Sequence, residues 1–382
     1  MKIVTVIGAR PQFIKAAAIS RNIRAFYSDL IQEVIVHTGQ HYDQNMSELF
    51  FEELNIPKPD YHLDGFDPSR HKESFNKMVT EIKQIIQQES PDWVLVYGDT
   101  YSTLAGAQAA HETRTPLAHV EAGLRSFNPA MPEEQIRIQT DQWAQMLFAP
   151  TATAVENLKR ERAESGRGVM DGPPPFFIIS TGDIMYDNSL YFAELAQSQD
   201  QIFKDLKINS KRFVLATIHR NFNTDNPERL ESILDALLMI SKEMQVVLPL
   251  HPRTLNAIED HFSEEKIAQI VETKNLIVSV PLSFLEMTLL EQRAQMIITD
   301  SGGVQKEAYF FKKPALILRA ETEWIEIVEV GAAKLTDADP KVILDSFHHY
   351  LQSPPTYFPP LFGDGEAAKE ILNALLEKKI KL

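Results

Sequence analysis

At 382 residues, with 44% hydrophobic and 24% charged side chains, the chain has a globular composition and the length for more than one core, so two domains are expected. It contains no cysteine, which rules out disulfides and thiolate metal ligands and makes a cytoplasmic setting the simplest expectation. A formal charge of −15 argues against a general nucleic-acid binder, and no apolar run is long enough to span a bilayer.

The opening MKIVTVIGARPQ pairs a lysine with a short apolar run, but the Gly-Ala-Arg-Pro loop interrupts it too early for a signal-peptide core, and it reads as a buried strand. Short Val/Ile/Leu-rich runs then alternate with stretches of helical period, the pattern of parallel strands covered by helices. Strands are predicted at 2–7, 33–37, 93–97, 116–120 and 146–149, with helices at 12–24, 43–54, 71–88, 102–111, 133–145 and 151–163. The polar, Gly- and Pro-rich stretch between 159 and 178 reads as an exposed loop without assigned chemistry. A strand at 177–181 and a helix ending near Gln197 follow, and the polar region 197–211 reads as a hinge or linker. From Arg212 the alternation restarts, with strands at 213–217, 245–250, 276–280, 296–299 and 315–319. The expected division is therefore residues 1–200 and 201–364, with a final helix from residue 365 able to pack back on the first domain.

The segments after the strands carry the chemistry. In the first half they read GARPQ (8–12), HTGQH (37–41), GDT (98–100) and HVEAGLR (119–125). In the second they read HRNFN (219–223), HPRT (251–254), PLSF (281–284), DSGGVQKE (300–307) and RAETEWIE (319–326). Ligands of open α/β sheets bind beyond the carboxyl ends of the strands, so such turns in series point to a binding crevice in each domain. Arg10 and Lys15 flank a helix start where Pro11 fits the first turn, an arrangement suited to a diphosphate. The spacing is not that of a P-loop. Ser301, Gly302 and Gly303 open a helix whose free amides favour an anion, and Glu307 one turn on suits a sugar hydroxyl. His219 and Arg220 follow the first strand of the second domain and face the same diphosphate in this reading. The stretch 119–137, HVEAGLRSFNPAMPEEQIR, concentrates Glu121, Glu133, Glu134 and Arg137. An acid/base centre and a solvated helix start both fit it at this point. No HExxH or clustered histidine spacing supports a metal, and no GxGxxG supports a nicotinamide cofactor, so neither is expected.

Taken together, GARPQFIK, HTGQH, VYGDT, HVEAGLRS, MPEE, HR, HPR and TDSGGVQKE span nearly the whole chain and resemble the non-hydrolysing UDP-N-acetylglucosamine 2-epimerase family. The resemblance implies two Rossmann-like doubly wound parallel-sheet domains facing a cleft, as in GT-B glycosyltransferases, and commonly a homodimer. It implies elimination of UDP to a 2-acetamidoglucal and re-addition with inversion at C2, supplying sugar for surface polysaccharide. By motif, Asp99, Glu121 and Glu133 take the acid/base roles, with His219 beside them. Arg10, Lys15, Arg137 and His219 take the diphosphate; Ser301, Gly302, Gly303 and Glu307 place phosphate and ribose; His251 and the Phe284 turn complete the nucleotide contacts. Three departures stand out: Ile136 where the family often has Asn, Phe222 where it often has Glu, and Trp324 where a TER-type turn has Arg. HPR and TEW resemble the subgroup acting on UDP-2,3-diacetamido-2,3-dideoxyglucuronate. A hydrolysing relative, a glycosyltransferase and a non-catalytic nucleotide-sugar sensor are the alternatives. A regulatory site is not assumed, although Gln40, His41 and Gln44 stand near where some members have one.

Overall fold

The computed structural model describes residues 1–40, 57–63, 70–164, 176–208 and 212–378. The predicted helix at 43–54, His41 and Gln44, and most of the 159–178 loop lie outside these residues. The chain divides into two compact units, Met1–Asn188 with Phe362–Leu382, and Ser189–Leu361.

In the first unit the described strands form a seven-stranded sheet in the order β3-β2-β1-β4-β5-β6-β7. They are β1 (Lys2–Ile7), β2 (Gln32–His37), β3 (Tyr61–His62), β4 (Trp93–Tyr97), β5 (Leu117–Val120), β6 (Met146–Ala149) and β7 (Phe177–Ser180). Every neighbouring pair is parallel. β1, β4, β5 and β6 are runs such as KIVTVI and WVLVY, buried along nearly their whole length, as central parallel strands covered on both faces must be. The order reverses between β1 and β4, the switch point at which such sheets open a crevice. Two helices start there, Arg10–Asn22 after β1 and Tyr101–Thr113 after β4.

The second unit repeats the plan with β8 (Phe213–Thr217), β9 (Gln245–Pro249), β10 (Leu276–Ser279), β11 (Met296–Thr299), β12 (Ala315–Ile317) and β13 (Ala333–Leu335). They form a six-stranded parallel sheet in the order β10-β9-β8-β11-β12-β13. The switch point lies between β8 and β11, followed by His219–Arg220 and by the helix Gly302–Phe310. β3 and β13, edge strands of two and three residues, escaped the sequence reading because they are too short to show a period.

The division falls inside the helix Ile184–Ala196, before the expected boundary at residue 200. Asn188 is held by the first unit, accepting from Arg21 Nη2 at 2.6 Å and donating to Ile14 O at 2.8 Å. Phe192 meets Phe284 of the second unit edge-on at 5.0 Å. The stretch 197–211, expected to be a linker, is instead part of the second unit where it is described. It forms a 3₁₀ turn at Gln197–Gln199 and a helix at Gln201–Asp205, with Ile202 buried against Ala196 and Leu289. Three apolar residues among many polar ones suffice for that packing but leave no periodic signal. The final helix, Ala367–Glu377, belongs to the first unit. The Asp187 carboxylate accepts from its first amides, Ala367 N at 3.1 Å and Ala368 N at 2.8 Å, and Trp93 Nε1 donates to Leu375 O near its end.

Candidate active site

The turn after β1 is built around Gln12. Its Oε1 accepts from Gly8 N and Ala9 N at 2.9 and 3.0 Å, while its Nε2 donates to Tyr97 O and Thr103 Oγ1, both at 2.9 Å. One buried amide thereby fixes the loop after β1 to the end of β4. A Cβ on Gly8 would fall 1.9 Å from Thr38 Oγ1, so only glycine permits this approach. Arg10 is the first residue of the helix, at the carboxyl end of β1.

Lys15, one turn along, is buried, and its ammonium pairs with the Glu121 carboxylate. In this structure the Lys15 ammonium therefore stands between the β1 turn and a candidate acid/base group. Glu121 leaves β5 with φ +71°, a left-handed conformation uncommon for a residue with a side chain. Its amide donates to Phe148 O at 3.1 Å, which holds the turn against β6.

Asp99 ends the β4 turn and pairs with Arg137 of the helix Pro132–Trp143. Burial alone would lower the Arg137 pKa, but Asp99, Glu121 and Glu134 together raise it, so this guanidinium is firmly cationic. The two adjacent glutamates of the MPEE motif have different environments. Glu133 is exposed on the first turn. Glu134 is buried and accepts from Ser126 N, Ser126 Oγ, Phe127 N and Arg137 Nη1 at 2.8, 3.0, 3.0 and 3.3 Å. It ties the loop after Glu121 to Arg137, a structural assignment that separates it from Glu133. The first unit thus assembles Lys15–Glu121 and Asp99–Arg137 at the carboxyl end of its sheet, with Glu133 on the helix that carries Arg137.

In the second unit Asp300, to which the sequence reading gave no role, organises the turns. It is fully buried and accepts from His219 N and Arg220 N at 3.1 and 3.0 Å and from Asn223 Nδ2 at 3.1 Å, and its Oδ1 lies 3.2 Å from His219 Nδ1. Burial would raise its pKa, but these partners outweigh burial and hold it below the usual carboxylate range. The only sequence signal for it was its place ahead of SGG at the end of β11. His251 caps the helix Pro252–His261, accepting from Arg253 N, and its ring centroid is 5.7 Å from that of His219. Burial and the neighbouring His219 and Arg253 lower its pKa, favouring the neutral ring.

Ser301 caps the helix Gly302–Phe310, its Oγ accepting from Val304 N at 3.4 Å. A Cβ on Gly302 would have no neighbour closer than 3.6 Å, and one on Gly303 none closer than 3.8 Å. The protein itself does not need glycine at these positions; the open amides at the helix start are what the glycines provide. Gly302→Ala should therefore stabilise the fold by about 0.4–1 kcal/mol through the unfolded chain, read by chemical denaturation. Around Gly302 stand Glu323, Trp324 and Arg220. Glu307 is half-buried in the same helix, and burial together with Glu307 pushes the Glu291 carboxyl of the preceding helix well above its ordinary value. Phe284 starts the helix Phe284–Arg293, its ring against Phe192. Among the described residues no cluster of three or more His, Asp or Glu side chains could hold a metal ion.

A family model described as UDP-N-acetylglucosamine 2-epimerase matches residues 25–376. The chain belongs to the UDP-N-acetylglucosamine 2-epimerase family. Within this family it is 46% identical over 376 residues to the UDP-2,3-diacetamido-2,3-dideoxy-D-glucuronate 2-epimerase of Pseudomonas aeruginosa, covering 98% of this chain and 99% of that enzyme. The structure of the UDP-GlcNAc 2-epimerase of Methanocaldococcus jannaschii matches with a TM-score of 0.84 at 34% identity, over 99% of this chain and all of that one. The Neisseria meningitidis enzyme, solved bound to UDP-GlcNAc, matches with a TM-score of 0.81 at 29% identity, over 99% and 100% of the two chains. These likenesses extend over both units, and the fold is that of the epimerase family.

The departures from the epimerase pattern have local explanations. Ile136 is buried, on the face of its helix away from solvent. Phe222 is half-exposed under the Arg229 guanidinium, 5.8 Å from the ring centroid. Trp324 is buried, donates from Nε1 to Gly302 O at 3.0 Å and carries the Lys306 ammonium 4.3 Å over its ring. The cation missing at position 324 is thus followed by others close by: Lys306 on the indole, and Arg319 in a two-pronged pair with Glu323 at 2.9 and 3.0 Å.

Proposed function

We propose that this epimerase-family protein inverts C2 of a UDP-2-acetamido sugar by eliminating and re-adding UDP. The observation that carries the reading is the pair of carboxylate–cation contacts, Asp99–Arg137 and Lys15–Glu121, at strand ends of a chain that matches the family over nearly its whole length. A C2 hydrogen is weakly acidic, so its removal needs a carboxylate base and its return on the other face needs an acid. Asp99, Glu121 and Glu133 supply these roles. As the C2–H bond breaks, its electron pair forms the C1=C2 bond of a glycal and the C1–O pair leaves with UDP. Re-addition reverses both steps with the proton delivered to the opposite face. Arg10, Arg137 and His219 oppose the charge that develops on the departing diphosphate, and the amides of Gly302 and Gly303 take a phosphate behind Ser301. Lys15 keeps Glu121 in place and adds to that positive field. Glu307 accepts from ribose, and His251 and the Phe284 turn border the nucleotide.

Two sugars compete as substrate. The 46% identity to the diacetamido-uronate enzyme favours that sugar over UDP-N-acetylglucosamine, the sugar in the names of a homolog at 43% and of relatives at 37% and 32% identity. Incubation with each sugar in deuterated water is expected to incorporate deuterium at C2 and to yield the 2-epimer with UDP still attached. Release of free sugar would mean a hydrolysing enzyme, and no exchange with either sugar would remove the assignment. The expected homodimer and role in surface polysaccharide supply rest on the family resemblance, and the cytoplasmic location on the absence of cysteine.

A further inference from the structure

His119 is the penultimate residue of β5, two positions before Glu121, with no solvent exposure. Its Nε2 is 2.8 Å from the carbonyl oxygen of Gly98, which precedes Asp99, and its Nδ1 is 2.7 Å from Asp141 Oδ1. A carbonyl oxygen can only accept a hydrogen bond. Asp141 is also confined to accepting: its Oδ2 takes Gly123 N at 3.1 Å and Arg125 Nη2 at 2.7 Å. Burial would raise the Asp141 pKa, but His119 and Arg125 outweigh it and hold the carboxyl below its ordinary range. Both ring nitrogens of His119 therefore face acceptors, and the ring has no exposure to bulk solvent that would relieve a lone pair set against an oxygen.

The charged groups beside the ring come from three elements. Asp141 comes from the helix Pro132–Trp143 that also carries Arg137, and Arg125 from the turn after Glu121. Glu161, from the helix Ala152–Glu164, receives Arg125 Nε and Nη2 at 2.6 and 2.7 Å. Arg162 Nη2 donates to the main-chain oxygen of Asp141 at 2.6 Å.

We propose that His119 is a positioning residue that donates through both ring nitrogens, tying the Gly98–Asp99 turn to Asp141 and, through Asp141, to the Gly123–Arg125 turn, and so setting the separation of Asp99 and Glu121. The ring touches no substrate. Its importance for turnover rests on the proposed acid/base roles of those two carboxylates, whereas its hydrogen content does not.

The test has two independent readouts. In protein labelled with ¹⁵N at histidine, the signal lost in His119→Gln should show an attached proton on both nitrogens at neutral pH; a bare nitrogen at either position overturns the proposal, whatever the substrate. In kinetics, His119→Ala should lower kcat roughly a hundredfold with KM changed less than about threefold, as for a sub-ångström misplacement of reacting groups. His119→Gln, which can still donate to the Gly98 carbonyl, should recover about tenfold of that loss. Equal kcat in wild type and His119→Gln, or a loss confined to KM, would overturn the positioning role. If His119→Ala does not fold, the His119→Gln split and the labelled wild type decide.

Discussion

Asp99→Asn is expected to lower kcat for 2-epimerisation about a hundredfold or more, with the fold intact and KM little changed. The substitution is isosteric, and the Gly98 turn that presents it, with φ +61° at the glycine, does not depend on the carboxylate. What is lost is a group able to exchange a proton, at the position where the carboxylate pairs with Arg137. Arg137 retains Glu134 at 3.3 Å, so its guanidinium stays anchored and the helix Pro132–Trp143 keeps its place. Glu133→Gln should have a loss of similar size for a different structural reason. Its carboxylate is exposed on the first turn of that helix, so its removal should leave the unfolding midpoint unchanged while turnover falls. Steady-state kinetics beside thermal unfolding measures both, and wild-type turnover in the two variants would remove the acid/base assignment.

Asp300→Ala is expected to be the costliest change in the second unit, lowering stability by about 3 kcal/mol or more in denaturant unfolding. The carboxylate is the shared acceptor for two main-chain amides and the Asn223 amide, with His219 Nδ1 at 3.2 Å, all next to the start of the helix Gly302–Phe310. Alanine leaves the His219 and Arg220 amides without this acceptor, Asn223 Nδ2 keeps only Leu318 O, and the turn that presents His219 and Arg220 loses its anchor. UDP affinity should fall with it. The pH dependence has a definite sign. Because the folded carboxyl lies below its ordinary value, its contribution is full above about 3.9, the unfolded value, and disappears as pH falls through the lower folded one. A wild-type acid transition steeper than that of Asp300→Ala is the expected signature. An Asp300→Ala protein as stable as wild type would show that the turn is held by other contacts.

The two expectations differ in how they arise. Asp99 was legible because the GDT turn follows a fully apolar run, WVLVY, and a polar group directly after a buried strand has few places to go other than the sheet's carboxyl edge. The same contrast located β1, β6, β8 and β11 at their observed ends. Where the contrast was weak the reading failed: β3 and β13 are too short, and the stretch around Ile202 hides its packing among polar residues. The partners of the charged groups had no such marker. Lys15 and Glu121, and Arg125 and Glu161, are brought together from separate βα units, and His119 and Asp141 from the strand and helix of one unit, and no periodicity records which of these groups meet.

By itself, the sequence determined the alternation of buried parallel strands and helices, the strand ends at which polar turns gather, and the family. Those depend on local contrasts between apolar and polar runs and on motifs that survive in linear order. Only the tertiary structure decided that Lys15 neutralises Glu121, that Glu134 is a clamp while Glu133 faces solvent, and that Asp141 and Asp300 hold the turns from below. Each of those depends on which side chains burial forces to share hydrogen bonds across the sheet, and a buried donor takes the acceptor that packing brings within about 3 Å, however distant in sequence.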